Sequence, residues 1–292
     1  MTNIGKFIPL VLATFLWGLQ PIAVKILLLQ YSTATIIFFR STAMLFFYII
    51  LMKLYNVSLL PKLSIKKWSI LFLMGLTGTT ICSISQYEGL RYAPVFHCVL
   101  FGATVPAITA CMARIFLKER LSLLQWGGIL LSFFGVLFML TKGAVLQLLT
   151  EPFNIGDILF FINELSWSAY IIASRYILKD LSILQVTTLS NFIGIITLIP
   201  YILNMGGLNL VIPNMNSLFA YVFVVIFSGV LAMLAWNKGI NMVGTKGAVF
   251  NNVTPFTGLI FGNLILDELI NSADLIGLVA VSCGIYILMY QK

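Results

Sequence analysis

The sequence has very little charge. Asp, Glu, Lys and Arg make up 9% of its 292 residues, whereas a soluble domain usually carries about 25%. Hydrophobic residues account for 60% of the chain, and the mean hydropathy is +1.05. So few polar side chains cannot cover a surface in water. The composition therefore excludes a soluble globular protein and predicts an integral membrane protein.

Histidine and cysteine are also scarce. The chain has one His, and its four Cys lack the spacing of metal ligands or of a disulfide framework. It has no Gly-rich phosphate loop, which argues against ATP hydrolysis within the chain. A membrane enzyme needs a cluster of acids and His near the interface, and one His with one clearly buried acid do not form one. We therefore predict no cofactor, no metal site and no enzymatic activity.

Apolar runs long enough to cross a bilayer, about 20 residues each, fill the sequence. We predict ten transmembrane helices at 6–28, 32–54, 68–86, 92–117, 121–140, 156–178, 182–204, 217–239, 245–266 and 272–290. The net charge of +8 comes from basic residues in the short gaps between these runs. Because they form no single patch, we exclude nucleic acid as a partner and expect the lipid bilayer instead.

The two halves of the sequence resemble each other. The matching pairs are Trp17 with Trp167, Ser32 with Ser182 and Gly89 with Gly239 at a shift of 150, then Pro106 with Pro255 and Glu119 with Glu268 at a shift of 149. We therefore predict a five-helix repeat at 1–141, a loop at 142–155 and a second five-helix repeat at 156–292. Because five is odd, the second copy enters the membrane in the opposite orientation, which makes an all-α protein of two inverted repeats.

The distribution of basic residues predicts the orientation. With a cytoplasmic N-terminus, twelve Lys and Arg lie in cytoplasmic segments, and only Lys25, Arg91 and Lys142 lie outside. Cytoplasmic loops of membrane proteins carry this excess. We expect a multi-pass protein of the cell membrane with both termini in the cytoplasm.

A short motif occurs once in each half. It consists of Trp17–Gly18, Pro106 and Leu117-Lys118-Glu119-Arg120, with the copies Trp167, Pro255 and Leu266-Asp267-Glu268. With this motif the chain resembles the drug/metabolite transporter superfamily, specifically proteins with two EamA-type domains. Ser168 follows Trp167 where Gly18 follows Trp17, so the second copy departs from the first. The resemblance implies a secondary carrier with a central cavity lined by spans one to four and six to nine.

Two ionisable residues lie inside predicted spans, where an unpaired charge costs several kcal/mol. Arg40 and Glu164 each lie roughly 12 Å from the start of their spans, on helices of opposite halves. In one interpretation, Arg40 binds a substrate carboxylate, and Glu164 binds a substrate ammonium or a coupling proton. In the other, the two form a permanent structural ion pair.

Aromatic residues occur in mid-span, away from the interface where Trp usually collects. Trp17 lies one helical turn from Gln20, and Trp167 lies one turn from Tyr170. An aromatic ring beside a polar group suits an amphipathic substrate or a cation. The alternative is that these rings pack the interface between the repeats.

Spans four and nine supply the remaining candidates. His97 shares a helical face with Thr104 and is either a proton relay or a hydrogen-bonded packing residue. Asn251 and Asn252 precede Pro255, which frees a backbone carbonyl. This combination fits a substrate-binding kink and equally fits hydrogen bonding between helices.

These features predict a secondary transporter of small organic metabolites that works by alternating access. We expect an exporter of amino acids or related amphipathic compounds, with protons or an exchanged metabolite as the coupling species. The main alternative is an uptake carrier for a nucleoside-like or methyl-donor compound, and a remote one is a multispan membrane enzyme. Small residues in spans five and ten fit either a homodimer interface or internal packing.

Overall fold

The fold is a bundle of helices. The computed structural model describes residues 3–149, 154–257 and 272–290, and every regular element within these ranges is helical. The principal helices are α1 (Ile8–Leu28), α2 (Thr33–Leu54), α3 (Ile65–Tyr92), α4 (His97–Leu117), α5 (Leu123–Leu140), α6 (Ile155–Ile177), α7 (Ile183–Asn204), α8 (Met215–Val243), α9 (Thr245–Val253) and α10 (Ser272–Tyr290). Seven of them, α1 to α4 and α6 to α8, are long and apolar enough to cross a membrane.

Predicted and observed boundaries differ mainly in α3, α8 and α9. The third and eighth spans, predicted at 68–86 and 217–239, extend by several residues at one or both ends. The predicted ninth span, 245–266, begins as the 3-10 helix α9. Its residues 258–266 lie outside the described residues, as does the motif copy Leu266-Asp267-Glu268.

Serine side chains cap the N-termini of two of the long helices. Ser32 Oγ accepts a hydrogen bond from the backbone N–H of Thr35 at the start of α2, and Ser182 Oγ accepts one from Gln185 at the start of α7. Such caps satisfy N–H groups that have no partner within the helix. Ser32 and Ser182 are the equivalent residues of the two halves, so the same local signal starts equivalent helices.

Proline accounts for the breaks in α1 and α4. α1 is interrupted at Leu19, two residues before Pro21, and α4 is interrupted at Ala103 and Thr104, just before Pro106. A proline inside a helix removes one backbone hydrogen bond and clashes with the carbonyl four residues earlier. Pro21 therefore accounts for the break at Leu19, two residues after Trp17.

Three helices contain π-helical segments that the sequence did not predict. They are Gly75–Ile81 in α3, Ala113–Leu117 at the end of α4 and Phe223–Leu231 in α8. At a shift of 150 the segments of α3 and α8 overlap, so these two are equivalent in the two halves. Wide turns of this kind are rare and occur frequently at functional sites.

Glycines bring α5 and α10 into close contact. A Cβ atom added at Gly128 would lie 2.8 Å from the carbonyl oxygen of Gly284, and one added at Gly135 would lie 3.0 Å from that of Gly277. No real side chain tolerates the first distance. The glycines of these two helices therefore pack against one another within the chain.

Contacts between the helices α1–α5 and the helices α6–α10 occur in exchanged pairs. Gly89 packs on Phe160 in the same way as its counterpart Gly239 packs on Leu10, which is the counterpart of Phe160. The α5–α10 contacts exchange in the same manner. Trp17 meets its own counterpart Trp167, with ring centroids 5.2 Å apart. This is the pattern of two similar bodies packed about an approximate two-fold axis.

The loop 205–214 is fastened to the corner between α1 and α2 at one end of the bundle. The Asn209 side chain accepts hydrogen bonds from Ser32 N–H and Thr35 Oγ1 at 2.8 and 2.6 Å, and it donates one to the Gln30 carbonyl at 3.1 Å. We call this set the Asn209 contact. It links the two halves.

At the opposite end of the bundle, α3 is joined to the corner between α6 and α7. Lys67 Nζ lies 3.2 Å from Asp180 Oδ1, and Gln185 Nε2 donates to the Ser58 carbonyl at 3.0 Å. Lys67 and Asp180 are half-exposed. A second contact between the halves therefore exists, in the position equivalent to the Asn209 contact, and it combines an exposed ion pair with one hydrogen bond.

Candidate functional site

A cavity of about 140 Å³ lies at the centre of the bundle. Its walls come from α1 to α4 and α6 to α9, and no lining residue belongs to the described parts of α5 or α10. Six of the predicted site residues line it, namely Trp17, Gln20, Arg40, Glu164, Trp167 and Asn251. Residues from both halves of the sequence therefore meet at one site.

Arg40 of α2 is held by the backbone of α8. Its Nε donates a hydrogen bond of 3.0 Å to the carbonyl oxygen of Val224, in the π-helical segment. Among the described residues the guanidinium forms no other hydrogen bond. Because Nε is occupied, the terminal nitrogens are the groups left to bind an anion in the cavity.

Glu164 of α6 lies on the cavity wall near α4. It is 5% exposed, and its Oε1 would lie 3.9 Å from a Cβ atom added at Gly102. Within the residues that the structure describes, no salt bridge joins Glu164 to Arg40. The two ionisable groups thus line the same cavity without a direct salt bridge, and a buried charge on either one favours an oppositely charged guest.

An aromatic cluster forms one side of the cavity. Trp17 packs edge-on against Trp167 at 5.2 Å and lies 5.1 Å from Trp236. Trp167 in turn stacks on Tyr170 at 5.0 Å with an interplanar angle of 5°. Trp17 and Trp167 present ring surface to the cavity, and the other two rings support them.

The π-helical segment of α8 provides acceptors for three side chains from α1 and α2. Arg40, Trp17 and Tyr48 donate to its backbone carbonyls over 3.0, 2.9 and 3.4 Å. The carbonyls belong to Val224, Ser228 and Gly229. All three donors line the cavity, so this one segment orients the guanidinium, an indole and a phenol at once.

Amide side chains lie on the side of the Trp17–Trp167 pair opposite to Trp236 and Tyr170. Gln20 Nε2 donates to Gln86 Oε1 at 3.3 Å and to the Tyr87 hydroxyl at 3.4 Å. Gln86 Nε2 lies 3.8 Å from Cys98 Sγ. These weak bonds connect α1, α3 and α4 across the cavity.

His97 and Thr104 do not line the cavity. His97 Nδ1 lies 2.6 Å from Oδ1 of Asp157, at the start of α6. The other carboxylate oxygen of Asp157 accepts a hydrogen bond from Asn154 N–H in a helix cap. Thr104 Oγ1 donates to the Phe101 carbonyl at the break in α4. Both residues hold helix ends in place, which supports the packing interpretation of His97.

Tyr170 and Asn252 also lie outside the cavity lining. Tyr170 is fully buried beneath Trp167, where its hydroxyl exchanges hydrogen bonds with the Asn237 amide. Asn252 Nδ2 donates to Ser132 Oγ of α5 at 2.7 Å. Of the two adjacent amides, Asn251 therefore faces the cavity, and Asn252 joins helices.

Several lining residues were not predicted. They are mostly small polar groups: Thr79, Cys82, Ser83, Gln86, Cys98, Asn163, Thr187, Ser190, Asn191 and Ser228. In α3 the polar positions recur at 79, 83 and 86, which is the spacing of one helical face. A search for polar residues at helical spacing within apolar spans would have found this group.

The comparisons with known proteins agree with this architecture. The sequence pattern of the EamA-like transporter family matches residues 7–141 and 154–290, which is nearly the whole chain and covers it twice. The chain belongs to the EamA-like transporter family. It is thus a multi-pass membrane protein of a transporter family, as the motif in each half indicated.

Relatives of this EamA-family protein carry similar names. The uncharacterized transporter YyaM of Bacillus subtilis is 30% identical over 215 residues, covering 73% of this chain and 70% of its own. An uncharacterized transporter of Archaeoglobus fulgidus is 24% identical over 298 residues, 98% of this chain and 99% of its own. A crystal structure with 17% identity covers 98% of this chain and 96% of its own, with a TM-score of 0.76, and so shares the fold.

Proposed function

We propose that this protein is a secondary transporter of small organic metabolites that works by alternating access and exports amino acids or related amphipathic compounds. One observation carries the proposal. A single central cavity contains a guanidinium, a carboxylate that is not paired with it and two indole faces. Amino acids carry groups complementary to all three.

The contacts of the cavity suit a zwitterion. The terminal nitrogens of Arg40 form a planar fork that matches a carboxylate. Glu164 accepts hydrogen bonds from an ammonium group, and the faces of Trp17 and Trp167 contact the apolar or cationic part. The cavity of about 140 Å³ excludes a lipid-sized molecule in this conformation.

The proposed architecture is ten transmembrane helices in two inverted five-helix repeats, 1–141 and 156–292, joined by the loop 142–155. The exchanged contacts of Gly89 with Phe160 and of Gly239 with Leu10 support it, as does the double match to the family pattern. Inverted repeats allow the halves to rock about a central site, and each half in turn adopts the conformation of the other.

The proposed setting is the cell membrane, with both termini in the cytoplasm and lipid around the bundle. The excess of cytoplasmic Lys and Arg supports this orientation. Glu164 is the candidate carrier of a coupling proton, and an exchanged metabolite is the alternative coupling species. The glycine contacts of α5 with α10 favour internal packing over a homodimer at these helices.

Counterflow in proteoliposomes tests the proposal. Vesicles preloaded with the twenty amino acids are diluted into each labelled amino acid, and saturable accumulation identifies a carrier rather than a channel. We expect at least one amino acid to accumulate. Arg40→Gln and Glu164→Gln should each reduce its rate about tenfold or more, the effect of losing one ionic contact worth about 1.4 kcal/mol.

Arg114→Gln is the matched control, because Arg114 is exposed and does not line the cavity. It should transport like the wild type. If no amino acid accumulates with the wild type, the amino-acid proposal fails. If both cavity variants match the wild type, the two charges are not part of the transport path.

A further inference from the structure

The residues on the two sides of the Trp17–Trp167 pair correspond to each other one for one. At a shift of 150 the matching pairs are Gln20 with Tyr170, Gln86 with Trp236, and Tyr87 with Asn237. Gln20 and Gln86 line the cavity. The corresponding set of Tyr170, Trp236 and Asn237, which we call the inner layer, lies on the far side of the tryptophan pair.

Hydrogen bonds repeat across this correspondence. Gln20 Nε2 donates to the Tyr87 hydroxyl at 3.4 Å, and Asn237 Nδ2 donates to the Tyr170 hydroxyl at 2.8 Å. In each bond an amide side chain donates to a phenol. In the first bond the amide is on α1 and the phenol on α3. In the second the phenol is on α6, the counterpart of α1, and the amide is on α8, the counterpart of α3. The two layers therefore share one arrangement.

The two layers differ in access. Gln20 and Gln86 line the cavity, whereas their counterparts Tyr170 and Trp236 are fully buried and line no part of it. Tyr87 and Asn237 are both fully buried. Asn237 Nδ2 donates to Oγ1 of the lining residue Thr187 at 3.0 Å, so the inner layer is packed directly behind the cavity wall in this conformation.

One donor of the inner layer has no partner. The indole N–H of Trp236 is fully buried and has no acceptor among the described residues, whereas that of Trp17 is bonded to the Ser228 carbonyl. An unmade hydrogen bond of a buried donor costs about 1–3 kcal/mol, and such groups are uncommon in folded proteins. The corresponding side chain, Gln86, has its amide at the cavity.

We propose that the inner layer is a second substrate-contact surface, exposed when the cavity opens to the cytoplasm. In that state the Trp236 N–H donates to a carboxylate or carbonyl oxygen of the substrate. The Trp236 and Tyr170 side chains then line the cavity as their counterparts Gln86 and Gln20 line it here, and Asn237 stays behind them like its buried counterpart Tyr87. The inference rests on the proposed alternating access, because exchange of conformations between inverted repeats moves position 236 into the environment of position 86.

Thiol labelling tests the access of the inner layer without a substrate. Tyr170→Cys and Gln20→Cys, at equivalent positions, are made separately in a protein whose four native cysteines are replaced by alanine. A membrane-impermeant maleimide is then added to right-side-out or inside-out vesicles. Because α1 runs outward from a cytoplasmic N-terminus, position 20 lies on the outer side of Trp17; we expect it to react from the outer face and position 170 to react from the cytoplasmic face. Trp236→Cys is the second variant, in case Tyr170→Cys does not fold.

The donor role is tested with Trp236→Phe, which removes the N–H and keeps an aromatic ring. Labelled L-phenylalanine, a zwitterion with an aromatic side chain, is the probe. The half-saturating concentration at the cytoplasmic face should rise about tenfold, with less than a twofold change at the outer face. Trp68→Phe is the control, because Trp68 lies at the far end of α3 and does not line the cavity.

The outcomes separate this inference from the proposed function. If phenylalanine counterflow proceeds while positions 170 and 236 stay unlabelled from the cytoplasmic face, the inner layer is not an access surface and the inference is overturned. An unchanged half-saturating concentration for Trp236→Phe at that face overturns the donor role. If position 170 is labelled but no amino acid is transported, the amino-acid proposal fails, and the access surface stands.

Discussion

Arg40 combines two roles in one side chain. Its Nε is bonded to the Val224 carbonyl, which fixes the direction of the guanidinium, while its terminal nitrogens remain for the cavity. Lysine has the same charge but a single flexible ammonium, and it cannot satisfy the carbonyl and present a planar fork together. The geometry of the group, and not its charge alone, therefore distinguishes this position.

We accordingly predict that Arg40→Lys reduces amino-acid counterflow about tenfold, because one of the two contacts must be lost. The measurement is the initial rate in proteoliposomes at matched protein density. Arg114→Lys, at an exposed position, serves as the control. Wild-type transport by Arg40→Lys would mean that a positive charge suffices at this site.

The sequence identified the cavity residues that are chemically exceptional in an apolar span. Arg40, Glu164, Trp17 and Trp167 stand out by type alone, and all four line the cavity. Residues such as His97 require knowledge of a distant partner, since Asp157 lies 60 positions away. Tertiary packing decides such contacts, and the spacing along one helix carries no information about them.

At the scale of the helices, the pair α5 and α10 depends on the absence of side chains at specific positions. Gly127 and Gly128 are neighbours in α5 with opposite surroundings. A Cβ atom at Gly128 would meet the Gly284 carbonyl at 2.8 Å, whereas one at Gly127 would meet nothing within 4 Å. The small residues of these two spans fitted either a homodimer interface or internal packing, and the sequence did not show which glycine makes the contact.

We predict that Gly128→Ala lowers the unfolding temperature of the protein in detergent, because α5 and α10 must separate to admit the methyl group. Gly127→Ala should leave that temperature unchanged or raise it slightly, since alanine restricts the unfolded chain and meets no neighbour. Size-exclusion profiles after heating measure both variants. Equal destabilisation by the two substitutions would contradict the close contact at Gly128.

The π-helical segments of α3 and α8 had no counterpart in the sequence-based prediction. A π turn contains an extra residue, and its stability comes from the packing around it rather than from the type of that residue. In α8 the surroundings are specific, since Met44 packs directly on Gly229 and three carbonyls accept side-chain donors. Apolar periodicity predicted the helix correctly but not its widened turn.

At the scale of the whole molecule, two equivalent contacts join the halves at opposite ends of the bundle. The Asn209 contact consists of neutral hydrogen bonds in a half-buried setting. The contact at the opposite end combines the Lys67–Asp180 ion pair, whose side chains are 35% and 46% exposed, with one hydrogen bond from Gln185 to the Ser58 carbonyl. Exposed pairs of this kind contribute about 0–1 kcal/mol and are screened by salt.

We therefore predict unequal effects at the two ends. Asn209→Ala removes three hydrogen bonds made by the side chain, each worth about 1 kcal/mol, and should lower the unfolding temperature by several degrees. Asp180→Ala should change it by about a degree or less. Thermal unfolding at low and high salt measures both. A larger loss for Asp180→Ala would contradict the assignment of the stronger contact to the Asn209 end.

Arg40 and Glu164, the two ionisable residues of the cavity, have no ionisable counterpart in the other half of the chain. The residue equivalent to Arg40 in the second half is Ser190, and the residue equivalent to Glu164 in the first half is Thr14. In a dimer of two identical five-helix chains, exact symmetry would present every charged group twice, so that a lone guanidinium could never face a lone carboxylate. Two halves of one chain with different residues at equivalent positions are free of that constraint. The similarity of the halves sets the shape of the cavity, and their differences set its polarity.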